Sequence, residues 1–146
     1  MIPGRSFVLR LENGDILHRS IELFAQVNNI HSASVIAVGG AEDGSQIIVG
    51  PRNGHSLPVE PLLHVLQGQQ EMSGNGTIFL DEAGSPMLHM HASFGRDGRS
   101  VTGCVRAGVK VWLVMEVVIQ ELTGADPRRL VDPLTGFALL DPTPGD

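Results

Sequence analysis

The sequence has very few of the residues that stabilise secreted domains through covalent links. It contains a single cysteine, Cys104, so no disulfide can form within the chain. A chain of this kind is typical of a reducing compartment. Aromatic side chains are also scarce, with one tryptophan and no tyrosine.

Positive charge is the minority charge of the chain. Lys and Arg together number 10, Asp and Glu together number 16, and the formal net charge is −6. An acidic chain is repelled by the phosphate backbone of DNA unless its basic residues gather on one face. The tightest basic group is the short pair Arg128 and Arg129, so the charge pattern weighs against direct DNA binding.

Long hydrophobic runs are absent. The longest apolar stretch, 111–115, ends at Glu116 and is far too short to span a bilayer. Residues 1–15 lack the apolar core of a signal peptide. We therefore expect a cytoplasmic protein with no membrane association.

The residues that are present indicate one globular domain. The chain has 146 residues, 42% hydrophobic and 18% charged, which is the composition of an ordinary folded domain and not of a disordered chain. Its 18 glycines and 9 prolines predict many turns and therefore several short strands. We expect a single domain over 1–146, with a core of about 7–122 and a tail of 123–146.

Hydrophobic periodicity predicts one main helix and about seven strands after it. Leu17, Ile21, Phe24 and Ala25 recur at helical spacing within 15–28. The strands are predicted at 33–38, 46–49, 62–72, 77–80, 86–94, 101–105 and 109–122, after a first strand-like segment at 6–11. This pattern predicts an α+β fold: a mixed, largely antiparallel sheet of about seven strands with the helix packed on one face.

Two further segments are given a structure by their composition. The glycine-rich segment 73–76 is predicted to be a turn or bulge that breaks a strand. The tail from Asp126 to Asp146 contains four prolines and no clear periodicity. We expect it to wrap the surface or to contact a partner subunit.

The histidine pair His89 and His91 is the feature that most resembles a site. In a strand, residues i and i+2 point to the same face, so the two imidazoles can share a metal ion. A neutral imidazole is a good zinc ligand, at about 2.0–2.1 Å. Two ligands do not make a site, so a third must be found.

Cys104 is the candidate for the third ligand. It follows the Asp97-Gly98 hairpin turn, and counting back from that turn pairs Cys104 with His91. Two histidines and a cysteine leave a fourth position open, as catalytic zinc sites do. The alternative is structural: half-buried histidines bonded to backbone or water, and a cysteine that packs as a small hydrophobic residue.

Two other residues are candidate partners of this group. Glu116, inside the long apolar strand, could accept a hydrogen bond from an imidazole that binds metal, and His64 could approach the pair from a neighbouring strand. No Gly-x-Ser-x-Gly motif and no paired carboxylates are present in the sequence.

The order of these pieces resembles the PPC family, the plant and prokaryote conserved domain, from Phe7 to about Leu122. Four stretches carry the resemblance: Arg10-Leu-Glu-Asn-Gly-Asp15 before the helix, Ser34-Val-Ile-Ala-Val-Gly-Gly-Ala41, Glu71-Met-Ser-Gly-Asn-Gly76, and Pro86-Met-Leu-His-Met-His-Ala92 followed by Thr102-Gly-Cys104 and Glu116-Val-Val118. Prokaryotic members usually have His-x-His and a later Gly-Gly-His, whose three histidines can hold zinc. Here Cys104 stands in place of the third histidine.

The resemblance implies a homotrimer with a DNA-binding or regulatory role. Our first hypothesis is therefore a trimeric binding module with zinc or a small-molecule ligand at His89, His91 and Cys104. The alternative is a metal-dependent enzyme in which a zinc-bound water acts on a small molecule. The scarcity of candidate general bases, Glu116 and His64 alone, weighs against an enzyme. A third possibility is a structural assembly in which the histidines only pack.

Overall fold

The computed structural model describes residues 1–142, which form ten strands, one α-helix and one short 3-10 helix. The elements are β1 (Ile2–Glu12), α1 (Leu17–Val27), β2 (Ser32–Ala41), β3 (Gln46–Pro51), β4 (Pro61–Val65), β5 (Gln70–Asp81), β6 (Pro86–Arg96), β7 (Arg99–Cys104), the 3-10 turn Val105–Ala107, β8 (Val111–Thr123), β9 (Arg128–Val131) and β10 (Ala138–Asp141).

All ten strands belong to one sheet. Its main path runs β1-β8-β2-β5-β6-β7-β3-β4, with neighbours antiparallel. The strand β9 pairs with β10 and, in parallel, with the end of β5. The α+β fold with a largely antiparallel sheet is therefore confirmed, but the expected number of about seven strands is too small.

Alternation along the strands gives the sheet two different faces. In β6, Leu88, Met90 and Phe94 are buried, whereas His89 and His91 are exposed. The buried side chains face α1, whose own buried residues are Leu17, Ile21 and Ala25. We call the side covered by α1 the inner face and the opposite side, which carries the two histidines, the outer face.

The segment 73–76 is not a turn, contrary to the expectation from its glycines. It lies in the middle of β5, between β2 and β6. A Cβ atom on Gly76 would lie 2.6 Å from the carbonyl oxygen of His89, and one on Gly74 would lie 2.9 Å from the Cβ of Ala92. The glycines are required because neighbouring strands approach closely here, not because the chain turns.

The predicted strand 62–72 and the tail also differ from expectation. The strand is interrupted at 66–69, so that β4 and β5 are separate elements. The tail does not only wrap the surface, because β9 and β10 form a hairpin that extends the sheet. These strands have four residues each, which is too short for a periodic pattern. No helix in residues 1–142 is long and apolar enough to cross a membrane.

Candidate metal centre

The two histidines of β6 point their ring nitrogens at each other on the outer face. The Nε2 atoms of His89 and His91 lie 3.2 Å apart, and the rings are nearly perpendicular, at 79°. If both nitrogens bound one zinc ion at about 2.05 Å, this separation would subtend about 100° at the metal, close to the tetrahedral angle. The spacing therefore fits two ligands of one ion.

The same distance is also compatible with a hydrogen bond between two neutral rings, in which one Nε2 donates and the other accepts. The pKa of His89 is lowered, first by burial and then by the positive charges of Arg129, His91 and Arg106. A lowered pKa keeps His89 neutral at physiological pH. The neutral ring is the form that binds a metal ion.

Cys104 lies directly opposite His91 in the β6–β7 pair, as the count from the Asp97-Gly98 turn predicts. Directly opposite residues of antiparallel strands share a face, so Cys104 is on the outer face beside the imidazole. Within residues 1–142, however, no three His, Cys, Asp or Glu side chains are grouped closely enough to hold a metal. The role of Cys104 as the third ligand stays a prediction.

A shallow cavity of about 330 Å³ lies beside the histidine pair, lined by Asn75, Gly76, Thr77, His89 and His91. Asn75 is opposite His91, and Thr77 is opposite His89, in the β5–β6 register. Sequence reasoning missed Asn75 because it placed a turn at 73–76, and it missed Thr77 because local pattern does not give the register of β5 against β6. With the register of β5 and β6 known, both follow directly.

Arg129 is a third residue near this site that the sequence analysis did not identify as part of it. Its side chain extends from β9 over the outer face, where Nη2 donates a hydrogen bond to the Thr77 hydroxyl at 2.9 Å. The neighbouring Arg128 instead forms an ion pair with Asp126 at 2.8 Å. The two arginines of the basic pair therefore do not form one patch. No sequence signal distinguishes them.

His64 and Glu116 are not brought next to the histidine pair, which corrects their predicted position. His64 pairs with the buried Ile47 and lines a separate cleft with Phe94, on the inner side of the sheet. Glu116 is on the outer face of β8, three strands from β6, a separation of about 14 Å at ordinary strand spacing. Neither residue can support the imidazoles within one chain.

The chain matches the profile of a known protein family. The profile of the Plants and Prokaryotes Conserved (PCC) domain matches residues 2–123. The chain belongs to the PCC family. This is the family that the four matching stretches between Arg10 and Val118 indicated, and its match ends before β9.

Solved structures of similar fold support the assignment. A metal-containing protein from Archaeoglobus fulgidus is 29% identical, with a TM-score of 0.81 and 94% of each chain covered. A plant- and prokaryote-conserved protein from Pyrococcus horikoshii is 26% identical, with a TM-score of 0.82, covering 96% of this chain and 93% of that one. A proposed DNA-binding protein from Bacteroides thetaiotaomicron, 18% identical with a TM-score of 0.78 and covering 95% of this chain and 93% of that one, shares the fold. None of the curated proteins compared with the chain matched it.

Proposed function

We propose that this PCC protein is a regulatory binding module, assembled as a homotrimer, that holds zinc through His89, His91 and Cys104. The observation that supports the metal site most strongly is the 3.2 Å separation of the two Nε2 atoms. The similarity to a metal-containing archaeal protein supports the same proposal.

The chemistry of the three residues fits zinc. His89 is held neutral, Nε2 of each imidazole is directed toward the other, and Cys104 lies one strand away on the same face. A thiolate ligand favours zinc over magnesium or calcium. When bound, zinc would supply a Lewis acid with one open position. The pairing of β6 with β5 and β7 holds these three side chains in position.

Zinc analysis of protein purified without an affinity tag tests the metal site. We expect one zinc ion per chain, lost in His89→Ala and in His91→Ala and retained in His55→Ala, because His55 is an exposed loop residue away from the site. Metal-free wild-type protein that does not take up added zinc would overturn the proposal. Equal zinc contents in all four proteins would do the same.

The outer face supports the homotrimer. Eight directly paired residues form one row across the sheet, which we call the outer row: Val8, Val118, Ile36, Asn75, His91, Cys104, Ile48 and Leu63. Of these, Val8 is 81% exposed and Ile36 54% on one side of the site, and Leu63 is 53% exposed on the other. Exposed apolar residues on both sides of a polar site are typical of a surface that another subunit covers. A second copy of the chain is the occupant we propose, and a mass of three chains of 15.6 kDa is the expected result.

A role in regulation does not require that this chain bind DNA strongly by itself. Within residues 1–142, six of the ten basic residues form ion pairs with carboxylates: Arg5, Arg10, Arg52, Arg96, Arg106 and Arg128. A carboxylate beside an arginine offsets part of the attraction of that arginine for phosphate. We therefore expect weak duplex binding that disappears at moderate salt. Tight, steeply salt-dependent binding would show that DNA is the main partner.

The site offers less support for the alternative of a metal-dependent enzyme. Hydrolysis by a metal-bound water usually needs a general base within hydrogen-bond reach. The residues that line the cavity beside the histidines are Asn75, Gly76 and Thr77, and none of these three is a base at neutral pH. A binding role for the site is the better-supported proposal.

A further inference from the structure

Arg129 carries a buried positive charge close to the histidine pair. The residue is 4% exposed, and its guanidinium lies over the ring of Phe79, 5.5 Å from the centroid. Among residues 1–140, no carboxylate lies within ion-pair distance of Arg129, and its buried Nε has no hydrogen-bond partner in the described part of the chain. Arginine stays protonated at neutral pH, so residues 1–140 leave this charge without a counter-charge.

Arg106 differs from Arg129 because a carboxylate lies beside its guanidinium. Arg106 lies near the same end of β6, where Nη1 donates to Glu22 at 2.8 Å and to the carbonyl oxygen of Leu88 at 2.8 Å. Its charge is therefore compensated, although Arg106 is more exposed than Arg129. A buried charge without compensation is destabilising. An anion bound near Arg129 would remove that cost.

Thr77 connects Arg129 to the cavity beside the histidines. Its hydroxyl oxygen accepts the Arg129 hydrogen bond, which leaves the hydroxyl hydrogen free to donate elsewhere. In the described chain, neither this hydrogen nor the side-chain amide of Asn75 has another partner. Both residues line the cavity of about 330 Å³. The cavity therefore offers two hydrogen-bond donors, and the positive charge of Arg129 lies next to one of them, the Thr77 hydroxyl.

We infer that this cavity binds a small oxyanion, a carboxylate or a phosphate, through the Thr77 hydroxyl and the Asn75 amide, with Arg129 supplying the compensating charge. This inference names the class of ligand that the proposed module would bind. It rests on the proposed function, because His89 and His91 also line the cavity. Arg129 lies beyond residue 123, where the PCC match ends. The two donors and the cavity thus belong to the matched domain, and the compensating charge comes from the segment after it.

Calorimetric titration with inorganic phosphate and with acetate tests the inference, in both chelator-treated and zinc-loaded protein. Thr77→Val removes the hydroxyl and keeps the shape, and Arg129→Met removes the charge and keeps most of the packing. Arg128→Met is the matched control, because Arg128 is the adjacent residue and its charge is already paired with Asp126. A loss of about tenfold or more in affinity corresponds to one charge-assisted contact.

We expect one of the two anions to bind the wild type and the Arg128→Met variant equally, and to bind Thr77→Val and Arg129→Met at least about tenfold more weakly. The anion that binds identifies the ligand as a phosphate or a carboxylate. No binding of either anion, or equal competition by chloride, would overturn the inference. Dissociation of the trimer in Arg129→Met without any anion binding would overturn it too, because the counter-charge would then come from another subunit. Binding to the chelator-treated protein separates this result from failure of the zinc site.

Discussion

Cys104 lies directly opposite His91 in the antiparallel pair of β6 and β7, on the outer face of the sheet. The next residue of the outer row toward β5 is Asn75, which lines the cavity. A thiol, an imidazole and an amide thus occupy adjacent positions on three neighbouring strands. Because strand register fixes all three positions, a shift of one residue in any strand would remove one group from this face.

Substitution of Cys104 tests its role as a metal ligand. We expect Cys104→Ser to weaken zinc affinity about tenfold or more, because a hydroxyl is a much poorer zinc ligand than a thiolate. Cys104→His introduces the residue that the PCC family usually has at this position, and we expect it to retain zinc. Competition with a chelating dye measures both affinities.

Cobalt substitution provides an independent readout of the sulfur ligand. The cobalt(II) complex of the wild type should show a thiolate charge-transfer absorption that Cys104→Ser lacks. Cys104→Ser protein with unchanged zinc affinity and an unchanged cobalt spectrum would show that Cys104 only packs beside His91. The site would then consist of the two histidines and exogenous ligands.

Gly76 tests whether the close approach of β5 and β6 positions the histidines. We expect Gly76→Ala to lower the free energy of unfolding by about 1–3 kcal/mol, because its new Cβ would lie 2.6 Å from the His89 carbonyl oxygen. It should also reduce zinc binding by displacing His89. Gly54→Ala is the control, since nothing lies within 4 Å of a Cβ there, and chemical denaturation measures both. A Gly76→Ala variant as stable as Gly54→Ala would contradict the packing described for β5.

Local patterns predicted those parts of the fold that depend on neighbours in sequence. The spacing of Leu17, Ile21 and Ala25 indicated α1, and the Asp97-Gly98 turn predicted the facing positions of His91 and Cys104. The continuity of β5 could not be predicted in this way. Glycine breaks a strand in isolation, and only the packing of Ala92 and Met90 against Gly74 and Gly76 makes it necessary inside one.

The position of Arg129 beside the cavity depends on a contact between residues that are distant in sequence. Arg129 reaches Thr77 across 52 positions through the parallel pairing of β9 with β5, and a four-residue strand has no periodic signal. His64 and Glu116 are the opposite case, since the sequence suggested a contact with the histidine pair that the strand order does not allow. Their residue types suited an imidazole partner, but the strand order β1-β8-β2-β5-β6-β7-β3-β4 keeps Glu116 three strands away. Strand order is a global property that local pattern does not determine.

Val118, in the apolar part of the outer row, tests the homotrimer. We expect Val118→Lys to convert the trimer to monomer, because it places a charge between Val8 and Ile36 on the surface that a second copy would bury. Val27→Lys is the control, since Val27 is 72% exposed on α1, away from the outer face. Sedimentation equilibrium measures the mass of each variant. A wild type that is monomeric at high concentration, or a Val118→Lys protein that remains trimeric, would contradict the proposed interface.

The pair formed by Arg5 on β1 and Glu121 on β8 tests how far an ion pair between these two neighbouring strands stabilises the sheet. Arg5 donates to both carboxylate oxygens, from Nη2 at 2.6 Å and from Nε at 2.8 Å, and its backbone N–H donates to Oε2 at 3.0 Å. These hydrogen bonds, from the side chain first and then from the backbone, lower the pKa of Glu121 to about 2. The folded state therefore binds this carboxylate's proton less readily than the unfolded state does.

Because the folded pKa lies below the ordinary value of 4.5, the stabilisation from Glu121 is fully present above about pH 4.5 and is lost as the pH falls toward about 2. We expect Glu121→Gln to lower the free energy of unfolding by about 1–2 kcal/mol at pH 7, a range that allows for the exposure of Arg5. The difference from the wild type should shrink steadily below pH 4.5.

Glu12→Gln is the control, because the Arg10–Glu12 pair is 71% and 65% exposed and should contribute less than about 0.5 kcal/mol. Urea denaturation across this pH range measures all three proteins, and a Glu121→Gln difference that did not change with pH would show that the carboxylate charge is not what stabilises this contact.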